Sequence, residues 1–150
     1  MYKKQLRYSI KLVVIFLISL QFIVACSREV ESRKVVHTDL KTIMDKRKLA
    51  IANKDIEAYK KLFYTGYQDG GRNYDAIIED MKYQFANHNK IEFNYEKNPM
   101  NFTMNTARMV SMVSYKTEKM EKPVFHHEKT IFRRVDGQWY ISGGVGVSLF

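Results

Sequence analysis

The chain has 150 residues, a formal charge of +9 and 45% hydrophobic residues. That length holds one domain, and a single cysteine excludes an intramolecular disulfide. No basic helix or aromatic-studded basic strand stands out, so the positive charge does not point to nucleic acid.

The first segment has the layout of a secretory leader. Lys3, Lys4, Arg7 and Lys11 form a positive start without an acidic residue, and Leu12 to Ala25 follows with only Ser19 and Gln21 interrupting an apolar run. That run is shorter than the roughly 20 residues a bilayer-spanning helix needs. The positive flank stays cytoplasmic, so the remainder is exported. Ile23-Val24-Ala25-Cys26 resembles the lipobox of bacterial lipoproteins: an aliphatic residue, a tolerant position, a small residue, then cysteine. The resemblance implies cleavage between Ala25 and Cys26 and a diacylglyceryl thioether on Cys26, with membrane lipid as the partner of that residue. Each buried methylene contributes about 0.8 kcal/mol, so two or three chains hold where one is marginal. Ser27 in place of an aspartate favours the outer membrane in a host that has one.

Without residues 1–25 the chain keeps 125 residues and +5 of its charge. Residues 26–37 are charged and lack a period, which reads as a lipidated tether spanning on the order of 20 Å. Residues 38–150 form the domain. Val36, Leu40, Ile43, Met44, Ala50 and Ile51 fit one helical face, with Thr38 or Asp39 as the cap. A break at Asn53-Lys54-Asp55 precedes a short helix carrying Ile56, Tyr59 and Phe63, in which Asp55 accepts from the first amides and Glu57 pairs with Lys61. Gly66, Gly70 and Gly71 read as a loop. Asn73 then caps a third helix with Tyr74, Ile77, Ile78, Met81 and Phe85 on one face, ended by His88.

Beyond residue 90 the period changes from 3.6 to 2. Ile91, Phe93 and Tyr95 alternate with polar residues in a first strand, and residues 107–116 form a second with Met109, Val113 and Tyr115 opposite Val110 and Met112. Residues 124–135 form a third, and Asp136-Gly137 turns the chain into a fourth over residues 139–142. A two-residue turn puts Phe132, Ile141 and Trp139 on one face. Helices followed by antiparallel strands give an α+β domain with the helices packed on one face of a curved sheet.

The run Ala52-Asn53-Lys54-Asp55-Ile56-Glu57-Ala58-Tyr59 and the closing Phe132-Arg133-Arg134-Val135-Asp136-Gly137-Gln138-Trp139-Tyr140-Ile141-Ser142 resemble the nuclear transport factor 2-like superfamily, its SnoaL-like domains in particular. The resemblance covers about residues 38–144. It implies a cone-like sheet around the helices, often with a pocket at the open end, and enzymes of this kind place a carboxylate or histidine inside an apolar cone. Here Tyr59, Tyr115, His126, Glu128, Phe132 and Trp139 are the candidate pocket residues, with His126 or Glu128 as acid or base. The bland alternative pairs Glu128 with Arg133, Arg134 or nearby lysines.

No metal or other cofactor is expected. His126 and His127 are adjacent on a strand and so point to opposite faces. Met100, Met104, Met109, Met112 and Met120 sit in or beside strands, where methionine is a core filler more than a copper ligand. The expected function is that of a membrane-anchored envelope lipoprotein on the exported side, whose domain binds a small apolar ligand, a peptide or an envelope protein. Val110 and Met112, left exposed, suggest a homodimer through the sheet. The alternative is a tethered enzyme of the same fold acting on an apolar substrate.

Overall fold

The computed structural model describes residues 33–145, so the leader, its cleavage site and Cys26 lie outside the described residues. The chain parts into two compact units, Met1–Thr38 and Asp39–Phe150, and the core described here belongs to the second. Among the described residues no helix is long and apolar enough to cross a membrane.

Helix α1 covers residues 33–52. Residues 33–37, expected in the tether, are already helical, and Thr38 is inside the helix and not its cap: its hydroxyl donates back to the Lys34 carbonyl at 3.0 Å. Leu40, Ile43, Met44, Ala50 and Ile51 are buried, as their spacing predicts. The helix stops where expected, through a Schellman arrangement. Asp55 N–H donates to the Ala50 carbonyl at 2.9 Å, Lys54 N–H donates to Ile51 at 3.1 Å, and Lys54 takes φ of 55°.

Helix α2, Ile56–Lys60, begins at Asp55, whose carboxylate accepts from Ala58 N–H at 2.9 Å. Glu57 pairs with Lys60 at 2.7 Å, one position short of the expected Lys61, which is the C-cap of the helix. The glycine segment is a small hairpin and not a plain loop. Strands β1, Gln68–Asp69, and β2, Arg72–Asn73, are joined by Gly70 and Gly71 at φ of 55° and 82°, the positive pair that a tight type I′ turn demands. Helix α3, Tyr74–Asn87, is capped by Asn73 and ended by His88, and it buries Ile77, Ile78, Met81 and Phe85.

Four strands follow as an antiparallel meander: β3, Ile91–Phe102; β4, Thr106–Thr117; β5, Val124–Val135; and β6, Gln138–Gly143. Strand β3 runs past its expected end, crossing a register shift between Lys97 and Met100 that contains Pro99. Proline is tolerated there because β3 is an edge strand and the irregularity spares a ladder hydrogen bond. At the other edge, Phe63 bridges Ile141, and Tyr64 N–H and Ile141 N–H each bond the other segment's carbonyl at 2.8 Å. That covers an edge that would otherwise offer free donors and acceptors. The Asp136-Gly137 turn has two residues with φ of 49° and 82°, so Val135 opposes Gln138 and Phe132 opposes Ile141, as the sequence predicts.

One face of the curved sheet is buried. Along β4 the burial alternates without exception at Ala107, Met109, Ser111, Val113, Tyr115 and Thr117. Aromatic rings fill the space between sheet and helices: Tyr59 lies 4.8 Å from Phe63 and 6.5 Å from Phe85, and Phe93 lies 4.9 Å from Tyr115. The methionine expectation holds for Met109, which is buried, but Met104 is 85% exposed. It sits between β3 and β4, where the chain turns away from the core.

Candidate functional site

Among the described residues, the buried charged side chains are Arg47 and Glu128. In α1 the apolar face runs through Leu40, Ile43, Met44, Ala50 and Ile51, and Arg47 occupies the position between them, so helical geometry sends it inward. In β5 the inward positions are His126, Glu128, Thr130 and Phe132, and in β4 they include Ser111 and Tyr115. Ser111 stands directly across from Glu128. These side chains converge because each obeys the period of its own element.

Arg47 and Glu128 form a two-pronged ion pair. Nη1 donates to Glu128 Oε1 at 2.5 Å, Nη2 donates to Oε2 at 3.0 Å, and both side chains are completely buried. Thr130 Oγ1 donates to Oε1 at 2.8 Å, and Nη2 also donates to the Tyr115 hydroxyl at 2.9 Å. The guanidinium lies over the Phe93 ring, 4.6 Å from its centre. Burial works against the Arg47 charge, but Glu128 outweighs it and holds the pKa well above the usual value. Burial pushes the Tyr115 and Tyr59 phenols up, against the opposing pull of Arg47. Both therefore stay protonated at neutral pH. Arg47 Nε and the Ser111 hydroxyl are buried without a hydrogen-bond partner.

Among the candidate pocket residues the fold brings Tyr59, Tyr115 and Glu128 together around Arg47, and all three are buried. His126 is half-buried and stacks on Tyr115, ring centres 5.6 Å apart, while His127 is exposed on the opposite face. Phe132 and Trp139 belong to the core near the β5–β6 turn. Arg133 and Arg134 are not the partners of Glu128. Arg133 lies over the Tyr64 ring at 5.4 Å and Arg134 over Trp139 at 5.9 Å. Arg47 comes from 81 residues away, and nothing local identifies it. Its signal in the sequence is a lone charge on an otherwise apolar helical face.

Surface depressions lie elsewhere. One of 240 Å³ is bordered by Phe102, Thr106, Arg108 and Ile131, and another of 480 Å³ by Leu49, Ala50, Ala58 and Leu62. The described residues hold no cluster of three or more His, Cys, Asp or Glu side chains able to bind a metal ion.

Solved structures share the fold of this domain. An NTF2-like protein of unknown function from Pseudomonas putida matches with a TM-score of 0.64 and 12% identity, over 73% of this chain and 84% of its own. The fold is NTF2-like. A candidate scytalone dehydratase from Novosphingobium aromaticivorans matches with a TM-score of 0.64 and 14% identity, over 75% of this chain and 83% of its own. Bd1075 of Bdellovibrio bacteriovorus matches with a TM-score of 0.64 and 16% identity, over 71% of this chain but only 38% of its own length. No family model matches the chain, and no curated protein matches it significantly in sequence. At these identities the likeness is one of fold alone, so the NTF2-like architecture carries no reaction with it.

Proposed function

We propose that the protein is a membrane-tethered lipoprotein of the cell envelope, whose NTF2-like domain works by binding a partner and not by catalysis. The anchor rests on the sequence Ile23-Val24-Ala25-Cys26, which lies outside the described residues. The binding role rests on one observation, the state of Glu128. A general acid or base must reach the proton it moves. Glu128 instead spends both oxygens on Arg47 and one also on Thr130, fully buried. Where an enzyme of this fold would keep a poised carboxylate, this domain keeps a structural ion pair. The charged centre also argues against an apolar ligand at that level of the interior, which favours a peptide or protein, a second copy included, met at the surface.

The runner-up is a tethered enzyme using His126. It draws on the likeness to a candidate scytalone dehydratase and on the half-buried His126 ring stacked upon Tyr115. Complementation of a deletion strain separates the two. Binding alone predicts that His126→Ala restores the wild-type phenotype, and catalysis predicts that it does not. Palmitate labelling tests the anchor: Cys26→Ser should lose both label and membrane association, and retention of both would remove it.

A further inference from the structure

We infer that the outer face of the sheet, over β4 to β6, is a docking surface for an anionic lipid bilayer, and this rests on the membrane-tethered reading above. The face is defined by strict alternation. Opposite the buried residues of β4 stand Arg108, Val110, Met112, Ser114 and Lys116, and opposite those of β5 stand Phe125, His127, Lys129, Ile131 and Arg133. Tyr140 and Ser142 continue it on β6.

Two properties of this face select the occupant. First, it is cationic: no outward residue of β4, β5 or β6 is acidic. The carboxylates on this side of the sheet, Glu92 and Glu96, belong to the edge strand β3, where Glu92 stands across from Lys116 and Glu96 across from Met112. Arg108 and Lys129 are different. They face Ile131 and Val110 across the β4–β5 ladder, with no carboxylate opposite. Second, the cations are interleaved with exposed apolar side chains, Phe125 at 62% and Val110 at 38%. Alternating cations and apolar groups suit a layer that is anionic at its surface and hydrocarbon beneath, where basic residues meet headgroups and a phenyl ring enters the acyl boundary.

A second copy suits the face less well. A two-fold contact centred on Val110 would crowd Arg108 and Lys129 of both copies into one dehydrated patch, where like charges repel. Geometry does not prevent the lipid contact. The stretch from Cys26 to Arg33, where α1 begins, reaches at most about 25 Å, while a domain of this size has a radius of gyration of about 13 Å. The tether therefore leaves the orientation to surface chemistry.

The test uses the mature lipidated protein, purified in detergent and reconstituted on vesicles of phosphatidylcholine, alone or mixed with phosphatidylglycerol. A water-soluble acylating reagent then reports the exposure of each lysine by mass spectrometry. We expect Lys129 to be modified about fivefold less on the anionic vesicles, with Lys46 and Lys61 on the helical side unchanged. Salt or Arg108→Glu should remove the protection. Lys129 labelled as fully as Lys46 and Lys61 on both vesicles overturns the proposal, and Lys129 protected relative to those lysines to the same degree on both assigns the face to a second copy. Flotation separates this proposal from the anchor. Capture by anionic vesicles alone keeps the lipid face and removes the anchor, and capture by neither overturns both.

Discussion

The inward face of β5 is built in two ways along its length. Near the Asp136-Gly137 turn, Phe132 lies across from Ile141 in an apolar layer closed by Trp139. A few residues earlier, Thr130 and Glu128 point into the same interior, where Thr130 donates to Glu128 and Glu128 meets a guanidinium from α1. The apolar end is stabilised by area removed from water, which any side chain of similar volume supplies in part. The polar end depends on partners. Desolvating two charges is costly, and the cost is offset only while the whole set of hydrogen bonds is present.

That contrast orders the expected effects of substitution. The largest belongs to the polar end: Arg47→Met alone should cost about 3–5 kcal/mol, because it strands Glu128 without a counter-charge. Urea unfolding with an unchanged m-value would measure it, and a loss below about 1 kcal/mol would mean that Glu128 finds water. At the apolar end, Phe132→Ala should cost a similar 3–5 kcal/mol through an unfilled cavity. There, restoring volume with Leu should recover most of the loss, whereas at the polar end restoring volume does nothing for the remaining charge.

Between the two ends the chain leaves β6 through Gly144, at φ of 76°. A Cβ there would fall 1.6 Å from the Lys129 carbonyl oxygen, so the backbone of the segment after β6 lies directly on β5. Gly144→Ala should cost more than about 2 kcal/mol, since both the left-handed conformation and the contact are forbidden to alanine. A melting temperature within a degree or two of wild type would contradict that contact.

A smaller effect lies beyond the polar end, after β4. Glu118 accepts from Asn89 N–H at 3.0 Å and Lys90 N–H at 3.2 Å. The Asn89 amide is the main reason its pKa falls from 4.5 to about 2, against an opposing push from desolvation and with further help from its own and the Lys90 amides. Because the folded value is depressed, its stabilisation is present above about pH 4.5 and fades as the pH falls toward 2. Glu118→Gln should therefore flatten the melting-temperature profile across that window and leave the slope above pH 5 unchanged.

How much of this was legible in the sequence follows the range of the interactions. The α3 cap at Asn73, the Asp55 cap and the two-residue turn at Asp136-Gly137 are local, and each was readable from a few adjacent residues. Alternation along β4 assigned its faces for the same reason. The β1–β2 hairpin escaped notice because strands of two residues carry no period. The extension of β3 was hidden by Pro99, which argues against a strand everywhere except at an edge. Glu128 was visible as an inward carboxylate, but its partner was not. Arg47 looks like one more basic residue in a basic helix until the apolar positions around it are numbered and it falls among them. The closeness of Gly144 to Lys129 is a tertiary fact, and a Gly-Gly pair near the end of a chain reads as tail without it.

The central claim is that the Arg47–Glu128 pair is structural, so the domain works without the Glu128 carboxylate as a reacting group. The doubly substituted Arg47→Met, Glu128→Met protein tests it most directly, because it removes both charges and keeps volume. Replacing such a pair by well-packed apolar residues is often neutral or stabilising by about 1–4 kcal/mol, and the Thr130 and Tyr115 hydroxyls left without partners offset part of that gain, so the double variant should melt near the wild-type temperature and complement a deletion strain fully. A variant that folds as well as wild type yet fails to complement would contradict the claim and place the interior carboxylate in a reaction.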